Sequence, residues 1–140
     1  MNKENDKIFE DLKQYLMEEA SEIFSDKVVS LAYEPINVGS LEIPDGHGRI
    51  IGSCGDTMEI YIKMKDGKID IIKFQADGCG VTMACGSAVT ELVKGKTLSE
   101  AESIGALDVL NYLDDLPASH EHCALLAVHT IQKVLKGLKI

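Results

Sequence analysis

Tryptophan is absent from this chain of 140 residues, and only three phenylalanines and four tyrosines are present. A core built here must be mainly aliphatic, and the 45% apolar content is ordinary for a globular domain. No apolar run approaches the roughly 20 residues a membrane-spanning helix needs, so no membrane segment is expected. The first residues, Met1-Asn2-Lys3-Glu4-Asn5-Asp6, are charged or polar, and no apolar signal region follows. A cytoplasmic, reducing location is the expectation. Basic charge is also short: 14 Lys and Arg stand against 23 Asp and Glu, a net charge of −9. That balance argues against non-specific nucleic-acid binding, which needs a basic surface. It suits solubility, and also docking on a basic protein. The four cysteines form no Cys-x-x-Cys pair, which excludes a zinc knuckle or a thioredoxin-like motif. No repeat, low-complexity tract or linker divides the chain, so residues 1–140 read as one domain.

The apolar periodicity changes twice along the chain. Ile8, Leu12, Tyr15, Leu16, Ile23 and Phe24 predict an amphipathic helix over 7–24, an N-terminal extension occupying 1–25. Residues 27–48 carry Pro, Asn and Gly signals and read as irregular. Arg49–Ser53 suits a short strand. Met58, Ile60, Ile62 and Met64 alternate with polar residues, Asp66-Gly67 is a hairpin signal, and Ile69–Ala76 reads as the return strand. From Gly80 the period becomes helical, through Val81, Ala84, Ala88, Leu92 and Val93 to a stop at Lys94-Gly95. Thr97-Leu98-Ser99-Glu100 is a capping box. Ser103–Leu113 predicts another helical piece, broken at Leu116-Pro117. Ser119 is the expected cap of a last helix carrying Ala124, Ala127, Val128, Ile131, Val134, Leu135 and Leu138. Strands followed by helices point to an α+β fold, a three-stranded antiparallel sheet with helices on one face, plus the extra N-terminal helix.

Three thiols fall at element ends on this layout. Cys54 lies in the Gly52-Ser53-Cys54-Gly55-Asp56 turn. Cys79 lies between Gly78 and Gly80, where a strand hands over to a helix, and Cys123 lies beside His122 at the start of the last helix. A thiol near a helix N-terminus meets unpaired N–H groups and the positive end of the helix dipole, which favour the thiolate. Taken singly, a cysteine is as often a small buried residue as a ligand. Three thiolates with an imidazole or a carboxylate make a tetrahedral set for Zn²⁺, and the same soft donors suit iron–sulfur chemistry. Cys85, one and a half turns into its helix, reads as buried.

Four segments carry a resemblance. Gly52-Ser53-Cys54-Gly55-Asp56, Phe74-x-x-x-Gly78-Cys79-Gly80, the Val89–Thr97 stretch and His122-Cys123-Ala124-Leu125-Leu126-Ala127 resemble the IscU/NifU-type iron–sulfur cluster assembly scaffolds. Tyr33-Glu34-Pro35-Ile36-Asn37-Val38-Gly39 is similar to a further segment of that family, with the Pro one place early. The resemblance runs from about residue 26 to about 136. It implies a SufE/NifU-like fold and a scaffold, not an enzyme, that assembles [2Fe–2S] clusters from iron and sulfur and hands them to apo-proteins. It implies that Cys54, Cys79 and Cys123 hold the cluster, that Asp56 or His122 supplies the fourth ligand, and that the same site accepts Zn²⁺. Its implied partners are a cysteine desulfurase, an electron donor such as a ferredoxin, and apo iron–sulfur acceptors. A homodimer sharing one site is compatible with the pattern. Cys123 is the expected persulfide acceptor, on the ground that its His and its helix position favour thiolate. Asp56 is the expected cluster-release residue. The alternative is a zinc-binding, SufU-like protein that accepts persulfide from a desulfurase.

The chain departs from the family at two places. The chaperone-binding Leu-Pro-Pro-Val-Lys of the family reads Leu116-Pro117-Ala118-Ser119-His120 here, which puts chaperone-assisted delivery in question. His120, standing where the family has Lys, has two readings, an extra ligand or proton donor and a solvated helix-start histidine, of which the second is the expectation. Cys85 stands where the family has a small hydroxyl residue or alanine. The step from Cys79 to Cys123 lacks the insertion of the SufU branch, which places the chain nearer IscU/NifU.

Overall fold

The computed structural model describes residues 11, 24–53 and 55–138. Most of the helix expected over 7–24, and Cys54, lie outside the described residues.

The sheet follows from alternation. Strands β1 (Gly46–Ile51), β2 (Thr57–Lys65) and β3 (Lys68–Asp77) pair antiparallel in the order β1-β2-β3. Met58, Ile60, Ile62 and Phe74 are each fully buried on the core face. Asp66 and Gly67 both take positive φ, 54° and 76°, the pair that a two-residue hairpin turn requires. Asp70 is the extra residue of a bulge: Met64 pairs with Ile69, but Lys63 pairs with Ile71. Ile72 and Phe74 face inward and Ile71 stays exposed, as a period of two expects; the slip is what lets Ile69 be buried as well, which a strict period of two does not foresee.

β1 starts three residues before the expected strand. Gly46 and Gly48 read as turn signals, yet they are packing glycines. A Cβ at Gly46 would lie 2.9 Å from Leu138 Cδ1, and one at Gly48 would lie 3.0 Å from Val134 Cγ2. Their missing side chains let the last helix lie against the sheet.

Two long helices cover one sheet face. Helix α1 (Asp26–Tyr33) comes first and falls in the segment read as irregular. Its Val28-Val29 pair is a weak helix signal, but Ser25 caps it by accepting from the Val28 N–H, and both valines are buried. The Ser25 hydroxyl also donates to the Leu113 carbonyl, tying this cap to a later helix. Helix α2 (Gly80–Val93) ends before Gly95, whose φ of 80° suits glycine. Thr97 and Glu100 form the expected capping box on α3 (Leu98–Glu102). Helix α4 (Ala106–Tyr112) is shorter than expected, because the Asp108 carboxylate accepts from the Gly105 N–H and starts the helix there. The last helix, α5 (Glu121–Leu138), is preceded by a 3₁₀ turn over Ala118–His120. Ser119 therefore lies inside that turn and does not cap α5. Pro117 opens it, its carbonyl accepting from the His120 N–H at 2.8 Å.

The Tyr33–Gly39 motif straps the free edge of β3. The Gly39 N–H donates to the Phe74 carbonyl, and the Phe74 N–H donates to the Asn37 carbonyl, both at 2.9 Å. Asn37, at φ 63°, reaches α2 through its amide, which donates to Thr90 Oγ1 and Glu91 Oε2. The strap covers backbone groups that an open edge strand would expose.

Candidate metal centre

Three segments meet where α2 begins. The first is the β1–β2 loop, a tight turn in which the Gly52 N–H donates to the Asp56 carbonyl at 2.7 Å and Gly55 takes φ 89°. It carries Asp56, and Cys54 belongs to the same loop in sequence. The second is the β3–α2 junction. Cys79 is the residue before the first turn of α2, with φ −80° and ψ 171°, and it is exposed. The third is the 3₁₀ turn and the start of α5, with His120, His122 and Cys123.

Gly78 makes the approach possible. A Cβ there would lie 2.5 Å from both Cγ and Oδ2 of Asp56, so the carboxylate rests against a bare backbone. Thr82, one turn into α2, joins the groups. Its hydroxyl donates to Asp56 Oδ2 at 2.6 Å and lies 3.6 Å from Cys79 Sγ and 3.7 Å from Cys123 Sγ. Thr82 has no exposed surface, and the sequence reading passed over it. The signal was there: position i+3 from a thiol at a helix start faces the same way as that thiol.

The two thiols differ. Burial acts to push the Cys79 thiol up, but the Thr82 hydroxyl and the backbone N–H groups of Thr82 and Val81 outweigh it. The result is a thiol held below the ordinary cysteine value, despite the nearby Asp56 carboxylate. Cys123 is the third residue of α5 and only 1% exposed. Burial pushes its thiol up to about 11, more than the Thr82 hydroxyl can offset. Cys123 is therefore not the thiolate-favoured cysteine that its His and helix position lead one to expect; Cys79 has that character, because depth outweighs helix position at Cys123. Cys85 is fully buried, as expected, and burial raises its thiol far above the ordinary value.

The histidines hold a second correction. Cys79, His120 and Cys123 each offer a ligand atom within 4.8 Å of the other two. His120 is half-buried rather than freely solvated. Its Nδ1 is buried without a hydrogen-bond partner, and its ring meets Phe24 edge-on at 5.1 Å. His122 Nε2 lies 3.6 Å from Cys123 Sγ, but His122 is outside that three-donor group, as is Asp56. Two thiols and an imidazole at this spacing are the soft donors of a zinc or iron–sulfur site.

Residues 23–139 match the family model of the NifU-like N terminal domain. The chain belongs to this family. Among curated NifU-like relatives, it is 42% identical over 114 residues to the iron–sulfur cluster assembly scaffold protein IscU 1 of Archaeoglobus fulgidus, covering 81% of this chain and 74% of that one. It is 39% identical over 121 residues to the IscU scaffold of Escherichia coli K12, covering 83% of this chain and 94% of that one. Two solved structures share the fold. A NifU-like N-terminal protein from Brucella abortus superposes with a TM-score of 0.64 at 18% identity, covering 82% of this chain and 93% of its own. A putative scaffold for the SUF system from Fervidobacterium islandicum gives 0.66 at 23%, covering 81% and 97%. The α+β architecture, a three-stranded antiparallel sheet with helices, is that of the NifU-like domain.

Proposed function

We infer that this NifU-like chain is a scaffold on which iron–sulfur clusters are assembled and from which they are passed on. The observation that carries the reading is the meeting of Cys79, Cys123 and His120 within 4.8 Å, in a chain 39–42% identical to IscU scaffolds. Iron and sulfide are substrates of this site. The chain's own part is to present thiolates, hold Asp56 beside them through Thr82, and keep the inner thiol dry. No covalent chemistry is required of it beyond carrying sulfur, which supports a non-enzymatic role.

The finer reading is a [2Fe–2S] cluster held by Cys54, Cys79 and Cys123 with one weaker oxygen or nitrogen ligand. A carboxylate or imidazole releases iron more readily than a fourth thiolate, which suits a protein that gives its cluster away. Sulfur comes from a cysteine desulfurase, electrons from a donor such as a ferredoxin, and apo-proteins receive the product. Cys123 can accept sulfur only as thiolate, and a bound metal deprotonates its thiol ligands. Sulfur acceptance at Cys123 therefore follows metal binding in this scheme. Mass spectrometry after a desulfurase reaction tests that order: persulfide on Cys123 appears with iron present and falls sharply when a chelator is added.

Anaerobic reconstitution tests the whole reading. The expected result is cluster absorbance that decays as an apo-ferredoxin gains its own. Asp56→Ala is expected to keep the cluster severalfold longer, and equal lifetimes would remove Asp56 from the release step. Tight colourless zinc that stimulates a desulfurase, with no cluster formed, would favour the SufU-like alternative, for which the same two thiols and imidazole are an apt zinc set.

A further inference from the structure

We propose that His120, the residue standing where the family resemblance puts a lysine, is the histidine ligand of the metal centre in this chain. The proposal rests on the scaffold reading only in taking the centre to be metal-binding, and it names which imidazole binds.

Three observations converge. First, a ring nitrogen of His120 lies within 4.8 Å of both the Cys79 and the Cys123 sulfur, while His122 falls outside that group. Second, His120 Nδ1 is buried and has no hydrogen-bond partner. A buried polar nitrogen without a partner is rare and calls for an occupant such as an ion. Third, the ring is held rather than free. Phe24 packs edge-on against it at 5.1 Å, and the His122 ring lies 6.3 Å away at a shallow angle of 23°. The 3₁₀ turn set by Pro117 explains the placement. It carries position 120 back over the start of α2, where Cys79 sits, instead of leaving it at the outer end of α5.

The chemistry of the exchange matters. A lysine ammonium has three donors and no lone pair, so it repels a cation and steers anions. A neutral imidazole has a lone pair and is a common metal ligand. Converting this position from Lys to His turns a residue that opposes metal into one that binds it. His122, one ring further out and 3.6 Å from Cys123 Sγ, is left as a hydrogen-bond partner of that sulfur.

The test uses the full reduced chain, metal-free and anaerobic, with Co²⁺ and Zn²⁺ as probes. Zn²⁺ affinity is measured by competition with a chromogenic chelator, and Co²⁺ spectra report the number of thiolates and the geometry. His120→Ala and His120→Lys are expected to weaken Zn²⁺ by about tenfold or more. Sulfur-to-cobalt charge-transfer bands are retained in both variants. Zinc is also expected to shift the ring ¹⁵N resonances of His120 in the unmutated chain, a readout that needs no variant to fold. A His120 ring unshifted by zinc, or a His120→Ala chain that binds zinc within about twofold of the parent, overturns the proposal. Failure of the parent chain to form a cluster would instead overturn the scaffold reading and leave these zinc measurements standing.

Discussion

At the scale of single residues, one hydroxyl touches both thiols and the carboxylate of the site. The Thr82 hydroxyl lies against Asp56 and two sulfurs, and its shortest contact, 2.6 Å, is the bond it donates to the carboxylate. Alkylation by iodoacetamide requires thiolate, so its pH profile reports each thiol. As pH rises, Cys79 is expected to react first, since its thiol lies below the ordinary cysteine value. Cys123 reacts only at much higher pH, its thiol standing at about 11 and its surface 1% exposed. Thr82→Val keeps the shape and removes the hydroxyl. Its loss takes away a hydrogen bond that stabilises the Cys79 thiolate, so the Cys79 profile is expected to move to higher pH. Peptide mass spectrometry across a pH series checks both statements. A Cys79 profile unmoved in Thr82→Val would mean that the backbone N–H groups alone set its reactivity.

At the scale of elements, glycines decide how close the helices come to the sheet. A Cβ on Gly86 of α2 would lie 2.2 Å from Phe74 Cε2, inside the fully buried ring of β3. Gly86→Ala is expected to destabilise the fold by about 1–3 kcal/mol through overpacking. Gly137 of α5 has nothing within 4 Å of such a Cβ, so Gly137→Ala is expected to stabilise by about 0.5–1 kcal/mol through helix propensity. Urea unfolding midpoints that move in opposite directions would bear this out, and a neutral Gly86→Ala would show that α2 can retreat from β3. The same glycines mark what sequence could and could not show. Asp66-Gly67 and Thr97–Glu100 were legible because their chemistry is local: a turn's φ values and a cap's two hydrogen bonds. Gly46, Gly48 and Gly86 were not, because each is required by a side chain far away in sequence. Helix α1 escaped notice because burial of Val28 and Val29, rather than propensity, holds it in place. Asp56, Cys79 and Cys123 stood out by composition and motif. The two readings of His120, extra ligand and solvated helix-start residue, were not separable in sequence because a 3₁₀ turn rather than a cap at Ser119 precedes α5, and periodicity does not tell the two apart.

At the scale of the whole molecule, the candidate centre sits where three segments that share one core come together at its edge. Asp56 comes from the β1–β2 loop, Cys79 from the β3–α2 junction, and His120 with Cys123 from the entry to α5. Among the described polar groups of the site, Thr82 makes weak contacts to both sulfurs and one short bond to Asp56, and the buried His120 Nδ1 lacks a partner. An ion binding there replaces weak contacts by coordination bonds made only in the folded state, and ligand free energy then becomes folding free energy. At free Zn²⁺ a hundredfold above its dissociation constant, that linkage is worth about 2.7 kcal/mol. For a domain of this size, such a gain corresponds to a rise in Tm of roughly 5–10 °C. Thermal unfolding of the reduced full chain, with chelator and then with Zn²⁺, measures it. Cys79→Ser is expected to lose most of the rise, since it removes the exposed donor that spans the other two segments. Asp56→Ala is expected to lose less, because its carboxylate stands outside the three-donor group and already has Thr82 as a partner. A Tm that zinc leaves unchanged in the parent chain would mean that the donors do not close on an ion. A rise as large in Cys79→Ser as in the parent would place the metal elsewhere. The ordering parent above Asp56→Ala above Cys79→Ser is what a firm thiolate–imidazole set beside a loosely held carboxylate requires, and a loosely held position is where a cluster built to be given away can come free.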